Sequence, residues 1–236
     1  MATASRREHP AMNDARQLAL EFEHRPALGG DDFLVAPPNA DAVAWLDRWP
    51  DWPGSALVIV GPPGCGKSHL GHVFMAESGA LAIDAPDPRA ADIDAPALVL
   101  DEADVVAGDA AGEEALFHLY NRIREAGRCL LMTAAAPPAR WGLILPDLAS
   151  RLKAVATASI ATPDEALIQA VLVKLFADRQ LRVDADVIGY VVARMERSFA
   201  ATRTLVEALD STALARRRNI TVPLARDVLD ELAARE

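Results

Sequence analysis

The chain has 236 residues, of which 51% are hydrophobic and 25% charged, and its net charge is −10. That length suits one compact domain of about 150 residues plus a smaller one. No apolar run approaches the roughly 18 residues needed to span a bilayer, and the acidic balance argues against strong nonspecific binding to duplex DNA, where phosphate neutralisation dominates affinity.

Residues 1–30 are polar and mixed and are expected to form a mobile tail. The opening MATASRREHP has no apolar h-region, so no signal peptide is expected. Within the tail, Gln17, Leu18, Ala19, Leu20, Glu21 and Phe22 read Q-L-x-L-x-F. Apolar residues in a polar tail suggest a partner.

The next stretches alternate in type. Helical patterns cover Ala40–Arg48, Lys67–Glu77 and Glu113–Glu125, and apolar runs at Ala56–Val60, Leu81–Ile83, Ala97–Leu100 and Cys129–Thr133 read as buried strands. A weaker strand lies near Ala156–Ile160, and Pro- and Asp-rich segments at 84–96 and 136–147 read as loops. Alternating strand and helix implies a mostly parallel sheet with helices on both faces. From Pro163 the pattern is helical only. Leu167, Val171 and Leu175 repeat at helical spacing, as do Val187, Val191 and Met195 after a capping Asp184. Leu205 and Leu209 continue the theme, and Thr221 with Pro223 starts a last helix carrying Leu224, Val228 and Leu232. The expected fold is an α/β/α P-loop domain over 31–162 followed by a small all-helical domain over 163–236. Arg216 to Arg218 form a short basic run that reads as a solvated helix end.

Between the first strand and its helix, GPPGCGKS satisfies G-x-x-x-x-G-K-[ST] at Gly61, Gly66, Lys67 and Ser68. Glycines in such a loop turn backbone N–H groups onto phosphate oxygens; Lys67 adds a point charge, and the Ser68 hydroxyl can ligate Mg²⁺. The helix that follows points its positive end at the anion. The candidate nucleotide-binding run is Gly61, Pro62, Pro63, Gly64, Cys65, Gly66, Lys67, Ser68 and His69, with ADP or ATP and Mg²⁺ as the expected cofactors. The cysteines, Cys65 and Cys129, lie far apart, and a disulfide at Cys65 would obstruct this loop, so a reduced, cytoplasmic setting is expected. Asp101 ends the strand in ALVLDEAD, placed to hold the Mg²⁺ water shell, and Glu102 is placed as general base toward an attacking water. Thr133 sits at a strand end, where its hydroxyl meets either a γ-phosphate or water, or a local backbone group. Taken singly, Arg151 and Arg203 read as surface arginines.

The phosphate loop together with LVLDEAD, LYNRIREAG, LPDLASRLK and ATRTLVEAL resembles the AAA+ module of the bacterial replication initiator DnaA. It is more similar still to the Hda branch, the DnaA-related regulatory inactivators, over roughly residues 15–235. The resemblance implies that Arg151 in LASRL is an arginine finger acting in trans on a neighbouring subunit's nucleotide. Self-association or a complex with DnaA follows from that role. It further implies that Arg203 in ATRTL is the sensor-2 arginine of a helical lid. Phe33, Leu34 and Val35 would line the adenine pocket, with a hydrophobic staple into the core as the other reading of that segment. The Gln17–Phe22 run resembles the peptide by which bacterial proteins dock on the DNA polymerase sliding clamp, an extended strand seating Leu20 and Phe22 in an apolar pocket.

Departures from the initiator pattern matter too. The sequence offers nothing beyond the lid to supply a helix-turn-helix domain, so sequence-specific duplex binding is not expected. The stretch between Ser68 and Asp101 is short for an initiator's extra helix, and Ala135 stands where many DnaA proteins carry an acid. The expected function is a nucleotide-bound regulator that docks on the clamp and stimulates ATP hydrolysis by DnaA, restraining initiation. The alternatives are a self-sufficient ATPase that loads or remodels a replication protein, and a non-catalytic DnaA-like adaptor.

Overall fold

The computed structural model describes residues 34–234. Its strands form one parallel sheet in the order β2-β3-β4-β1-β5, where β1 is Ala56–Val60, β2 Leu81–Ile83, β3 Ala97–Leu100, β4 Cys129–Ala134 and β5 Ala156–Ser159. The inner strands β1, β3 and β4 are continuous buried runs because helices cover both faces of the sheet, whereas the edge strands β2 and β5 are partly exposed. In β1, Leu57 and Ile59 share a core with Leu46 of α1 (Ala40–Leu46) and with Leu70 and Phe74 of α2 (Lys67–Ser78). Ala56, Val58 and Val60 point the other way. They pack with Leu116, Leu119 and Ile123 of α3 (Ala110–Glu125) and with Leu148 and Leu152 of α4 (Pro146–Lys153). Burying each such Leu or Ile contributes about 1.5–3 kcal/mol.

Local chemistry moves some boundaries. Helix α3 starts before Glu113 because the Asp109 carboxylate caps it, accepting from the Ala111 and Gly112 amides. The loop reading of 136–147 gives way to α4, which opens at Pro146, a residue suited to a first turn because that N–H has no helical partner. A short 3-10 turn at Pro88–Asp92 interrupts the 84–96 segment.

The remainder is helical: α5 Glu165–Asp178, α6 Ala185–Val192, α7 Phe199–Arg216 and α8 Val222–Ala233. These helices enclose their own core, including Leu172, Phe176, Val191, Leu205, Leu209 and Val228. On α5 the stripe read from sequence is displaced. Ile168, Leu172 and Phe176 fill the core, whereas Val171 and Leu175 are half-buried and face a cavity shared with the sheet domain. The basic run at 216–218 is partly neutralised, since Arg216 pairs with Asp227 at 2.8 Å and Glu231 at 3.6 Å. No described helix is long and apolar enough to cross a membrane.

Candidate functional site

Strand order sets the site. β4 lies between β1 and β3, so the loop after β1 and the acid pair after β3 flank the end of β4 rather than sitting on neighbouring strands. The loop from Gly61 to Ser68 then turns into α2. A Cβ at Gly61 would lie 2.4 Å from the Ile160 carbonyl oxygen and 2.7 Å from Cys65 Sγ, so the tight turn out of β1 excludes any side chain there. The Lys67 ammonium donates to the carbonyls of Gly61 at 2.8 Å and Pro62 at 3.0 Å, which holds the charge over the loop. Burial pushes the Cys65 thiol up from its ordinary pKa, against the opposing field of Lys67, and keeps it neutral.

The Ser68 hydroxyl donates to Asp101 Oδ2 at 2.7 Å, joining the ends of β1 and β3 across the gap. Thr133, fully buried at the end of β4, fills that gap. Its hydroxyl donates to Asp101 Oδ1 and accepts from the Glu102 amide at 2.9 Å. The hydroxyl's donor is therefore engaged by Asp101, and the backbone group it serves is the Glu102 amide from the neighbouring β3 end rather than a local one. Glu102 has φ 50° and ψ 44°, a left-handed conformation that costs a non-glycine residue on the order of 1–2 kcal/mol. The Thr133 bond to its amide helps hold it there. One turn later Asp104 Oδ2 accepts from the Ala135 amide at 2.8 Å, fixing the chain that leaves β4.

A cavity of 220 Å³ between the two helical layers and the loop is lined by Leu34, His69, Phe199 and Arg203, with α5 supplying Leu167, Val171 and Leu175. The second unit closes directly on the phosphate loop. The Phe199 amide donates to the Gly64 carbonyl at 3.1 Å, and a Cβ at Gly66, whose φ is +104°, would lie 3.0 Å from the Phe199 ring. Arg203 follows Phe199 by one helical turn and so shares its face. Leu34 and Val35 part company: Leu34 lines the cavity, and Val35 packs on the core beneath α1 and α2. Asn39 holds that segment, its Oδ1 accepting from the Ala36 amide at 2.8 Å and its Nδ2 donating to the Leu34 carbonyl at 2.9 Å. Asn39 and Phe199 escaped the sequence reading. The signals for them were slight: an Asn just before a helix, and a Phe just after Ser198, whose Oγ caps α7 by accepting from the Ala201 amide.

The residues present fit a nucleotide with a hard cation. A loop closed to side chains, an ammonium above it, a cavity beside it and the Ser68–Asp101 oxygen pair are what a polyphosphate and Mg²⁺ require. No cluster of three or more His, Cys, Asp or Glu side chains gathers among the described residues. A Mg²⁺ ion here would complete its shell with water and phosphate oxygen, as that ion commonly does.

Arg151 lies elsewhere. Helix α4 packs on the sheet face opposite α2, and the Arg151 guanidinium sits 5.2 Å from the centre of the Phe117 ring of α3, within cation–π range. Gln17, Leu18, Leu20, Phe22 and Phe33 fall outside the described residues.

Residues 164–229 match the family model described as Hda, lid domain. Across 88% of this chain and 97% of the other, the fold is similar to domain III of the replication initiation protein DnaA from Thermotoga maritima, with TM-score 0.75 and 16% identity. It is also similar to AMPPCP-bound DnaA from Aquifex aeolicus, with TM-score 0.62 and 16% identity over 75% of this chain and 63% of that one. The Thermotoga maritima Holliday junction branch migration motor RuvB follows at TM-score 0.60 and 15% identity, over 75% of this chain and 62% of that one. At these identities the likeness to solved structures is one of fold. Residues 164–229 are thus similar to an Hda lid domain, and the chain shares the fold of DnaA domain III.

Proposed function

We propose that this chain is a nucleotide-bound switch that triggers hydrolysis in a partner rather than in itself. It holds ADP or ATP with Mg²⁺, ADP in the working state. It docks on the DNA polymerase sliding clamp through Gln17, Leu18, Leu20 and Phe22. It then presents Arg151 to the nucleotide of ATP-bound DnaA, which restrains initiation. The chain divides accordingly into a docking tail over 1–30, a nucleotide-binding unit over 31–162 and a lid over 163–236.

The observation that carries this reading is the place of Arg151. It stands on α4, across the sheet from the helix that follows the phosphate loop, in a chain with an Hda lid. From there its natural target is a neighbouring molecule's site. In the chain's own site the loop amides and Lys67 bind the phosphates, and Ser68 and Asp101 hold the cation. Leu34, Phe199 and Arg203 border the far end of the nucleotide. When bound, Mg²⁺ neutralises phosphate charge. Because Phe199 bonds to Gly64, occupancy of the loop and the seating of the lid are joined. The own nucleotide thus sets shape.

The test mixes the full chain, clamp loaded on DNA, and ATP-loaded DnaA, and follows ATP hydrolysis. Arg151→Ala, or Leu20→Ala with Phe22→Ala, removes the stimulation. Unchanged hydrolysis with either variant sinks the proposal. Identifying the copurifying nucleotide checks the ADP assignment.

A second reading, an ATPase in its own right, is favoured by the Ser68–Asp101 bond and by Glu102 beside it. Robust turnover by the isolated chain, abolished by Glu102→Gln, would decide for it. An adaptor without a finger role predicts clamp or DnaA binding and full function after Arg151→Ala.

A further inference from the structure

Glu113 is fully buried, and no other carboxylate is buried among the described residues. It stands in the first turn of α3 but does not cap that helix, because Asp109 does. Its oxygens serve two loops instead. Oε1 accepts from the Gly108 amide at 2.8 Å and the Ile144 amide at 3.1 Å, and Oε2 accepts from the Leu145 amide at 2.7 Å. Gly108 ends the segment that follows the acid pair, and Leu145 is the residue from which α4 starts. One helical turn beyond Glu113, on the same face of α3, Phe117 meets the Arg151 guanidinium. Helix α3 thus holds α4 at both ends, by a carboxylate at its start and by an aromatic face near its finish.

A carboxylate is needed here for a chemical reason. Every group facing it is an N–H donor, so both oxygens must be acceptors. A glutamine in the same pose would turn its NH₂ toward an N–H at one of the two positions. An alanine would leave three backbone donors without their partner. A buried ionised group kept only for stability is readily replaced by apolar packing; one whose bonds all run to loops flanking an arginine has a geometric consequence.

We propose that Glu113 is a positioning residue for Arg151, fixing the start of α4 so that the guanidinium is offered to a neighbouring nucleotide site in one orientation. This rests on the reading of Arg151 as a finger acting in trans. Glu113 touches neither nucleotide nor partner phosphate in that role; it acts through the Ile144 and Leu145 amides.

The test uses the full chain with clamp on DNA and ATP-loaded DnaA, comparing wild type, Glu113→Gln, Arg151→Ala and the double variant. Misplacing a reacting group by about 1 Å costs roughly 10²-fold in rate. Glu113→Gln is therefore expected to lower the maximal rate of stimulated hydrolysis by about 10- to 100-fold. The concentration giving half-maximal stimulation and the chain's own nucleotide affinity stay as in wild type. The double variant is no slower than Arg151→Ala, because the support has nothing left to support. Amide hydrogen exchange at Ile144 and Leu145 speeds up in Glu113→Gln, and exchange at the phosphate loop does not. Leu145→Pro gives a second handle should Glu113→Gln melt below the assay temperature. Leu145 has φ −84°, close to a proline's range, and this change removes one donor while keeping Glu113; the same loss of maximal rate is expected. Stimulation at the wild-type maximal rate in either folded variant overturns the role of Glu113 alone, as does a double variant slower than Arg151→Ala by the full Glu113→Gln factor. Full stimulation by Arg151→Ala overturns the finger reading, and this role with it.

Discussion

The phosphate loop largely holds itself, whereas the helix bearing Arg151 is held from outside. Lys67 bonds to Gly61 and Pro62 within its own loop, and the turn is shaped by glycines a few residues away. Its long ties are few: Ser68 to Asp101 across the end of β4, the Gly61 amide to the Ala134 carbonyl, and the Phe199 amide to the Gly64 carbonyl. Helix α4 instead depends on Glu113 and Phe117, both from α3. A self-contained loop tolerates change in the surrounding fold and keeps its ligand. In the proposed role, a helix that aims one guanidinium at another molecule needs its angle set by neighbours. The two regions should therefore fail in different ways.

The largest expected effect separates them outright. Arg151→Ala should lower clamp-dependent hydrolysis by DnaA by about 10³- to 10⁵-fold, the range typical of a lost arginine finger. Its own nucleotide affinity, measured by titration with a fluorescent ADP analogue, should not move, because Arg151 lies across the sheet from α2. Lys67→Ala should do the reverse first. Losing an ammonium from a polyphosphate site removes about 1.5–3 kcal/mol, or roughly 10- to 150-fold in affinity, measured by the same titration. Exchange at Ile144 and Leu145 should be unaffected. Weaker nucleotide affinity in Arg151→Ala, or faster exchange at Ile144 and Leu145 in Lys67→Ala, would break the contrast.

The same contrast explains what could be read from the amino-acid sequence. Gly61 to Ser68 is contiguous and its chemistry is local, so residue types and spacing suffice. Asp101 is legible from an apolar run ending in acid. The insertion of β4 between β1 and β3 is not legible, because strand order is a tertiary fact, and so the double role of Thr133 could not be resolved from its position. On α5, Leu167, Val171 and Leu175 form an apolar stripe as good as the true core face, since a cavity wall and a core ask for the same residues. Glu113 gives no sign of burial: an acid in a first helical turn ordinarily complements the helix dipole in solvent. Its donors at Ile144 and Leu145 come from a segment that reads as a loop, and Gly108 from a stretch to which the sequence assigns no element. Helix α4 is short, and its first turn was absorbed into the Pro-rich stretch before it. The support of Arg151 is not legible in the sequence because none of it is local.

A smaller effect probes how the acid pair is held. Thr133→Val keeps shape and removes the hydroxyl, leaving the Glu102 amide, already in a costly conformation, without its partner. An unsatisfied donor of this kind costs about 1–3 kcal/mol, which lowers Tm by roughly 2–12 °C in a protein of this size, read by scanning calorimetry. Thr133→Ser should recover most of it. The Mg²⁺-dependent part of nucleotide affinity should weaken in Thr133→Val and return in Thr133→Ser, since Asp101 loses and regains a hydrogen bond. A loss of Mg²⁺-independent affinity instead would mean that Thr133 supports the loop and not the acids.

The subtlest prediction concerns pH and falls on the other face. Burial pushes the Glu113 carboxyl upward, but the amides of Leu145, Gly108 and Ile144 outweigh it and hold the group below its ordinary range. A carboxylate bound more tightly by the native state than by the unfolded chain adds stability that is complete above its unfolded pKa of about 4.3. That stability is lost as pH falls through the lower, native value. The difference in urea unfolding free energy between wild type and Glu113→Gln should thus be flat from pH 7 to about pH 5 and shrink below pH 4. Subtraction matters, because contributions common to both proteins cancel and only that of Glu113 remains. Once protonated, Glu113 resembles the glutamine: it presents a donor where an N–H already points. A difference that stayed constant into acid would show that shape, not charge, holds the start of α4, and the clasp would then leave the two faces of the sheet supported by the same kind of packing.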